Sequence, residues 1–238
     1  MSPPQQPLDH RTRIKICGLT REEDVDTAVE AGADAVGFVL YAQSARHVSP
    51  QRAATLARRL PPFVTPVLLF VNEAPGNIQA ARDLVPAAML QFHGDETPAQ
   101  CEAAAGAQPW LRAARIPLDE ASPFDLLKFA SDYAQAHALL LDAHVEGYGG
   151  GGKAFHWSRL PPSVSCHAVL SGGLTPANVG DGMVQVRPRF RTLAVDVSSG
   201  VEASRGVKDA GKIHRFVAAV RAADQLLARS PHALLSTT

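Results

Sequence analysis

The sequence predicts one α/β domain of the (β/α)8 class, a single TIM barrel, from three observations. Its 238 residues suit one barrel of ordinary size. Eight short apolar runs begin about 20 to 30 residues apart, the length of one strand, one helix and two loops. Most runs are continuously apolar, as expected of parallel strands covered on both faces. The predicted strands are Arg13–Cys17, Ala35–Leu40, Pro66–Val71, Ala88–Phe92, Trp110–Ala114, Ala138–Asp142, His167–Leu170 and Leu193–Val197.

Helix signals fill most of the gaps between these runs. Thr20 is a candidate N-cap for a helix whose first turn is acidic, and Gly32 is a candidate C-terminal stop. Eight such repeats favour a closed barrel over an open doubly wound sheet, although the pattern does not encode strand order. Further helices are predicted from Ser49-Pro50 to about Leu60, from Thr97-Pro98 to near Gly106, from Thr175-Pro176 as a short element, and from Lys208 to about Leu227.

The predicted barrel domain spans residues 13–227. Residues 1–12 and 228–238 are rich in Pro, Ser and Thr, and we expect a flexible N-terminal extension and a flexible C-terminal tail. Residues 145–153 are glycine-rich and indicate a mobile loop, which either closes over a ligand or serves as a spacer.

Composition excludes several classes of protein. Lys and Arg total 23 and so do Asp and Glu, so no overall charge attracts nucleic acid or a membrane surface. The apolar runs are too short to span a membrane, and the N-terminus lacks a signal-peptide core. Cys17, Cys101 and Cys166 are scattered without a CxxC pair, which disfavours disulfides and a zinc site. We therefore expect a cytoplasmic protein without nucleic-acid or membrane partners, with monomer and homodimer both left open.

Reactive or polar residues stand at the ends of five predicted strands. Barrel enzymes carry their active sites at the carboxyl ends of the strands, so these residues predict one ring of chemistry at one rim. The segments are Cys17-Gly18, Gln91–Gly94, Asp142, Ser171–Gly173 and Asp196–Gly200.

Seven segments carry a more specific pattern. They are KICGLT (15–20), GFVLYAQSARHVSP (37–50), QFHGDE (91–96), LLLD (139–142), GGGGKAFHW (149–157), SGGLTPANV (171–179) and VDVSSGVEASRGVKD (195–209). In this combination and order they resemble the phosphoribosylanthranilate isomerase family. The resemblance covers about residues 13–220, and the pairing of KICG with VDVSSGVE and a following KD is its most specific part.

The resemblance implies a general base at Cys17 and a general acid at Asp142. Taken alone, a free cysteine is most often a small buried hydrophobe, and a carboxylate after a leucine run can simply cap the next segment. A thiol must lose its proton to abstract a carbon-bound proton at neutral pH. An apolar neighbourhood would keep a proton available on Asp142 for the sugar ring oxygen.

The resemblance also implies substrate contacts. Arg46 would bind the anthranilate carboxylate through its planar fork, where the plain alternative is a solvated loop arginine. Gln91, His93 and Asp196 would line the pocket, with Asp196 on the ribose hydroxyls. The plain alternative for His93 is a core histidine with satisfied hydrogen bonds.

Two glycine- and serine-rich turns follow the last two predicted strands. In many barrels these turns and a short extra helix bind phosphate through backbone N–H groups, which indicates a sugar-phosphate barrel without fixing its substrate. The predicted phosphate-binding residues are Gly172, Gly173, Ser198, Ser199 and Gly200.

The implied reaction is an Amadori rearrangement of the small molecule phosphoribosylanthranilate in tryptophan biosynthesis. Acid and base are both protein groups and no redox change occurs, so we expect no cofactor and no metal.

Some residues depart from the family pattern, and other functions stay open. Gly149–Gly152 replace a usual GGTG, His156 a usual Asp, Arg205 a usual Pro and Ser171 a frequent Ala. The alternatives are a pentulose-phosphate epimerase-like barrel with a metal, a non-catalytic sugar-phosphate-binding barrel, and an isomerase that also accepts the related histidine-pathway aminosugar. The first predicted strand ends in Cys17, which weighs against both the epimerase and the dual-substrate enzyme.

Overall fold

The computed structural model describes residues 11–119, 122, 124–144 and 156–229, and it confirms the predicted fold class. Eight parallel strands pair in chain order, and the eighth pairs with the first to close the barrel. The strands are β1 (Arg13–Cys17), β2 (Ala35–Val39), β3 (Thr65–Phe70), β4 (Met89–Phe92), β5 (Trp110–Pro117), β6 (Ala138–His144), β7 (Val164–Leu170) and β8 (Phe190–Val197).

Seven helices surround the strands in the described part of the chain, and a short antiparallel hairpin follows β8. A 3-10 helix, Trp157–Arg159, precedes β7. The helices are α1 (Glu22–Ala31), α2 (Pro50–Ala57), α3 (Pro75–Leu84), α4 (Pro98–Ala105), α5 (Leu126–Asp132), α6 (Val179–Val186) and α7 (Ala210–Arg229), and the hairpin is β9 (Glu202–Ser204) with β10 (Val207–Lys208).

Several helix ends follow the predicted local chemistry. The Ser49 side chain accepts a hydrogen bond from the Arg52 backbone N–H at the start of α2. Thr97 and Gln100 form a reciprocal capping box at the start of α4. Gly32 ends α1 in the left-handed conformation, with φ of 96°.

Two predicted helix starts are wrong. Thr20 does not cap α1, because its hydroxyl donates to the Gly206 carbonyl at 2.9 Å and so ties β1 to the β9–β10 hairpin. Thr175 does not open α6, because its backbone N–H donates to Asn178 Oδ1 at 2.8 Å across a turn, and the helix begins at Val179. In both places a tertiary or turn contact takes the capping group.

Two other boundaries also shift. α2 ends at Ala57, short of Leu60, because the N–H groups of Arg59 and Leu60 bond three residues back in the tighter 3-10 pattern. α7 begins at Ala210, since Lys208 belongs to β10.

Successive side chains of each strand point alternately outward, toward the helices, and inward, into the barrel, and so form two packed layers. Side chains that face outward pack under the helices in one large cluster that includes Ile14, Ile16 and Phe38. Inward side chains form smaller clusters inside the barrel, one of them with Leu111, Ala113, Leu140 and Val169 at its centre. The barrel interior is therefore filled, and functional groups have room only at its rim.

Parts of three predictions lie outside the described residues. The glycine-rich loop 145–153 does so completely, as do residues 1–10 and 230–238 of the predicted extension and tail. Thr12 is described and buried, and its hydroxyl donates to Asp224 on α7 at 2.6 Å. None of the helices in the described ranges is long and apolar enough to cross a membrane.

The capping box gives a stability prediction. Thr97→Ala should lower the free energy of unfolding by about 1 kcal/mol in urea denaturation, because the N–H of Gln100 loses its acceptor. Thr55→Ala is the matched control, since Thr55 is an exposed residue inside α2 whose hydroxyl bonds only within its own helix. It should change stability by less than about 0.5 kcal/mol. Equal effects of the two substitutions would contradict the capping role.

Candidate active site

The carboxyl ends of the strands bring the predicted site residues to one rim of the barrel. Closure of the sheet places β1 beside both β2 and β8, so residues from the two ends of the sequence become neighbours. The predicted residues at this rim are Cys17 on β1, Arg46 after β2, Gln91 and His93 at the end of β4, Asp142 on β6, Gly172 and Gly173 after β7, Asp196 on β8, and Ser198, Ser199 and Gly200 after β8.

Cys17 is the last residue of β1 and is only 5% exposed. It packs with Val39, Leu69 and the neighbouring rim residues. A Cβ atom at Gly37 on β2 would lie 2.7 Å from its sulfur, so glycine there makes room for the thiol. Burial raises the pKa of the Cys17 thiol, and the nearby Lys15 ammonium acts in the opposite direction.

Lys15 and Asp196 form a buried ion pair directly below Cys17. The Lys15 Nζ lies 2.8 Å from Asp196 Oδ1, and the Ser171 hydroxyl donates to Asp196 Oδ2 at 2.8 Å. Burial alone would lower the pKa of Lys15, but the charges of Asp196 and Cys17 raise it above its usual value. Lys15 therefore carries a permanent positive charge inside the barrel.

A hydrogen-bonded chain runs through Gln91 and His93 to Asp142. Gln91 Nε2 lies 3.0 Å from His93 Nδ1, and His93 Nε2 lies 3.0 Å from Asp142 Oδ2. The Ala143 backbone N–H donates to the other carboxylate oxygen at 2.9 Å. If Gln91 Nε2 donates, the imidazole proton sits on Nε2 and faces Asp142. The Gln91 amide, the histidine tautomer and the carboxyl proton are thus linked.

Arg46 is buried in a cluster of three charges. Its Nε and Nη2 atoms donate to the two Glu202 oxygens at 2.7 and 2.8 Å, and Lys208 Nζ lies 3.0 Å from Glu202 Oε1. Burial would raise the pKa of Glu202, but hydrogen bonds and charge from Arg46 and Lys208 lower it. Glu202 therefore fixes the guanidinium along its Nε–Nη2 side. The Nη1 atom makes no bond to another described residue.

The turns after β7 and β8 are built for close backbone approach. Gly172 and Gly173 have φ of 73° and 66°, a region that favours glycine, and within the described residues their N–H groups donate to no other group. A Cβ atom at Gly200 would lie 1.9 Å from the Leu174 carbonyl oxygen. Ser199–Val201 form the short 3-10 helix after β8, and Lys208 Nζ donates to the Ser198 carbonyl at 3.0 Å. Free N–H groups and a buried ammonium make this corner suited to an anion.

Sequence reasoning missed three charged residues of this site. Lys15, Glu202 and Lys208 are buried beside the predicted groups. A signal for Lys15 was available, since it lies two residues before Cys17 and shares its face of the strand. Glu202 and Lys208 stand in the quoted segment 195–209, but no pattern in the sequence pairs them with Arg46.

The fold and the rim define a (β/α)8-barrel enzyme whose rim holds a thiol, a carboxyl–imidazole pair and a corner suited to an anion. In the described part of the chain, no group of three or more His, Cys, Asp or Glu side chains is arranged to hold a metal ion. The family model described as N-(5'-phosphoribosyl)anthranilate (PRA) isomerase matches residues 14–219. The chain belongs to this isomerase family.

Individual relatives agree with this assignment. The chain is 63% identical over 220 residues to the N-(5'-phosphoribosyl)anthranilate isomerase of Methylibium petroleiphilum, covering 92% of this chain and 99% of the relative. The phosphoribosyl anthranilate isomerase structure from Thermotoga maritima matches with a TM-score of 0.75 at 39% identity, covering 89% of this chain and 99% of that one. A phosphoribosyl anthranilate isomerase in complex with reduced 1-(o-carboxyphenylamino)-1-deoxyribulose 5-phosphate matches with a TM-score of 0.73 at 37% identity and the same coverage.

The contact between the two glycine turns gives a prediction. Gly200→Ala should lower the free energy of unfolding by roughly 1–3 kcal/mol, because the new methyl group meets a backbone carbonyl that cannot rotate away. Gly76→Ala is the control, since that glycine lies in α3 with no atom within 4 Å of its added Cβ. It should stabilise the protein by about 0.5–1 kcal/mol. Urea denaturation measures both, and a neutral Gly200→Ala variant would refute the tight contact.

Proposed function

We propose that the chain isomerises N-(5'-phosphoribosyl)anthranilate to 1-(2-carboxyphenylamino)-1-deoxyribulose 5-phosphate, a step of tryptophan biosynthesis. The observation that carries the proposal is the position of Cys17 and Asp142 at the same rim of a barrel of this isomerase family. The related isomerase bound to the reduced form of that product supports the same substrate class.

In this proposal Asp142 is the general acid. It gives a proton to the furanose ring oxygen, the ring carbon–oxygen bond breaks, and the open-chain Schiff base forms. While Asp142 carries its proton it can donate to His93 Nε2, at the 3.0 Å distance between the two side chains. His93 then holds its own proton on Nδ1, so Gln91 must turn its amide to present the acceptor Oε1 in place of Nε2. Gln91 and His93 thus hold the acid in position.

Cys17 is the general base of the second step. Its thiolate takes the proton from the ribose carbon next to the Schiff base, and the bonding electrons form the carbon–carbon double bond of an enolamine. Tautomerisation gives the ketone. One proton is added and one removed, so the atoms balance and no redox cofactor takes part. The thiolate is the required form, and burial works against it.

The remaining site residues bind the two ends of the substrate. We assign the anthranilate carboxylate to the Nη1 edge of Arg46, which Glu202 holds in a fixed orientation. We assign the phosphate to the N–H groups of Gly172 and Gly173 and to the turn Ser198–Gly200. Asp196 is the candidate for a ribose hydroxyl, because each carboxylate oxygen keeps a lone pair beyond its bonds to Lys15 and Ser171.

The proposal includes a small-molecule substrate as partner and a cytoplasmic location. The three cysteines are free in the structure, which suits a reducing compartment.

The acid–base assignment is tested with purified protein and substrate generated in situ, by following the loss of anthranilate fluorescence. Cys17→Ser and Asp142→Asn should each lower kcat by at least about 100-fold, because each removes a group that moves a proton. Cys166→Ser is the control, since Cys166 lies on the outer face of β7. Wild-type protein that binds the substrate but leaves its fluorescence unchanged would refute the isomerase function.

The carboxylate contact predicts a different kinetic signature. Arg46→Lys keeps the charge beside Glu202 but loses the planar fork, so KM should rise about 10-fold or more while kcat changes less. Arg58→Lys is the matched control on the exposed end of α2 and should leave both constants near their wild-type values. An unchanged KM in Arg46→Lys would move the carboxylate contact to another residue.

A further inference from the structure

A buried lysine shares one face of β1 with the proposed base. Lys15 is 4% exposed and stands two residues before Cys17, so both side chains point into the barrel. A Cβ atom added at Gly37 would lie 2.7 Å from the Cys17 sulfur and 3.2 Å from the Lys15 Cε. The two side chains are therefore next to each other. The positive charge of the ammonium lowers the pKa of the thiol, against the effect of burial.

Two neighbours fix where this ammonium lies. Asp196 Oδ1 accepts from Lys15 Nζ at 2.8 Å, and Ser171 holds the other oxygen of the same carboxylate at 2.8 Å. All three side chains are less than a tenth exposed. A flexible lysine is thus confined to one position, with its charge beside the sulfur.

We propose that Lys15 is a positioning residue for the base, and that its ammonium, fixed by Asp196, stabilises the Cys17 thiolate that the reaction requires. This inference rests on the proposed function and adds a residue to it. Lys15 itself touches no reacting atom and transfers no proton.

The charges around Cys17 favour Lys15 for this role. Lys15 faces the thiol from its own strand, Asp196 from β8, Lys208 from β10 and Arg46 from the segment after β2. Burial raises the pKa of the thiol most, Lys15 lowers it more than any other group, and Asp196 raises it again. Lys208 and Arg46 are both bonded to Glu202, whereas Lys15 is bonded to Asp196 and its side chain lies next to the sulfur.

The rival explanation is that Lys15 only neutralises Asp196. The two explanations differ in what they predict for the thiol. A counter-ion for Asp196 has no further task once that carboxylate is removed. A lysine that holds the thiolate should act more strongly in that case, because it no longer shares its charge.

The test therefore compares Asp196→Asn with the double variants Lys15→Met/Asp196→Asn and Lys15→Gln/Asp196→Asn. Removing both charges avoids an unpaired ion in the core, and the Gln/Asn pair retains a hydrogen bond if the apolar variant does not fold. The readout is the rate of Cys17 alkylation by iodoacetamide, resolved by peptide mass, since only the thiolate reacts. It needs no isomerase activity.

Iodoacetamide should alkylate Cys17 faster in Asp196→Asn than in the wild type. In the double variants the rate should be at least about tenfold lower than in Asp196→Asn, which is the effect of one pKa unit. In the wild type the rate should rise with pH through the neutral range, because a thiol whose pKa is raised is mostly protonated there. Cys166 is the internal reference: burial raises its pKa to about 11, it lies outside the barrel, and its rate should stay constant.

Equal Cys17 rates in Asp196→Asn and both double variants would overturn the proposal, since they would show that Lys15 does not stabilise the thiolate. If the Cys17 alkylation rate depends on Lys15 but the wild-type protein has no isomerase activity, the ion pairing is supported and the proposed function is refuted. Slower alkylation together with an equal drop in kcat/KM relative to Asp196→Asn is the expected result.

Discussion

The pairing of β1 with β8 is the constraint on which the site depends. It closes the barrel with Lys15 opposite Asp196, two residues 181 positions apart in the sequence. Once that register is set, Cys17 stands at the rim above the ion pair, and the turn after β8 lies next to the end of β1. A shift of one residue would turn Lys15 and Cys17 to the outer face, under the helices. Closure of the barrel and assembly of the site are therefore the same event.

Closure also forces charge into a region of low dielectric. Lys15, Asp196, Arg46, Glu202 and Lys208 are all less than a tenth exposed, and each has an opposite charge within 3.0 Å. Such pairs contribute little net stability, because removing both ions from water costs about as much as their attraction returns. What they supply is position. A guanidinium and an ammonium that are already fixed lose little conformational freedom when a substrate binds. Their charges are therefore preorganised before binding.

The sequence was sufficient for the barrel because its strands are short apolar runs at regular spacing, and every predicted strand overlaps an observed one. It also predicted the rim, because a reactive residue followed by glycine marks a strand end. It failed where a residue's partner is distant along the chain. Thr20 has the composition of a cap, yet it bonds to Gly206, and Glu202 lies in a hairpin whose contact with Arg46 spans 156 positions. Local patterns carry no information on such pairs.

The proposed phosphate site and the proposed acid are joined through the glycine turn after β7. A Cβ atom at Gly172 would lie 2.7 Å from Asp142 Oδ1 and 2.6 Å from the Ala143 nitrogen, so the backbone that we propose for the phosphate rests against the proposed acid. Gly200 packs even more closely on Leu174, with 1.9 Å from an added Cβ to the Leu174 carbonyl oxygen, which links the second proposed phosphate turn to the first. A phosphate held at these turns, as proposed, would set the distance between the sugar ring and Asp142. Binding energy from the non-reacting end can thus orient the ring oxygen toward its proton, which is how remote binding lowers a chemical barrier.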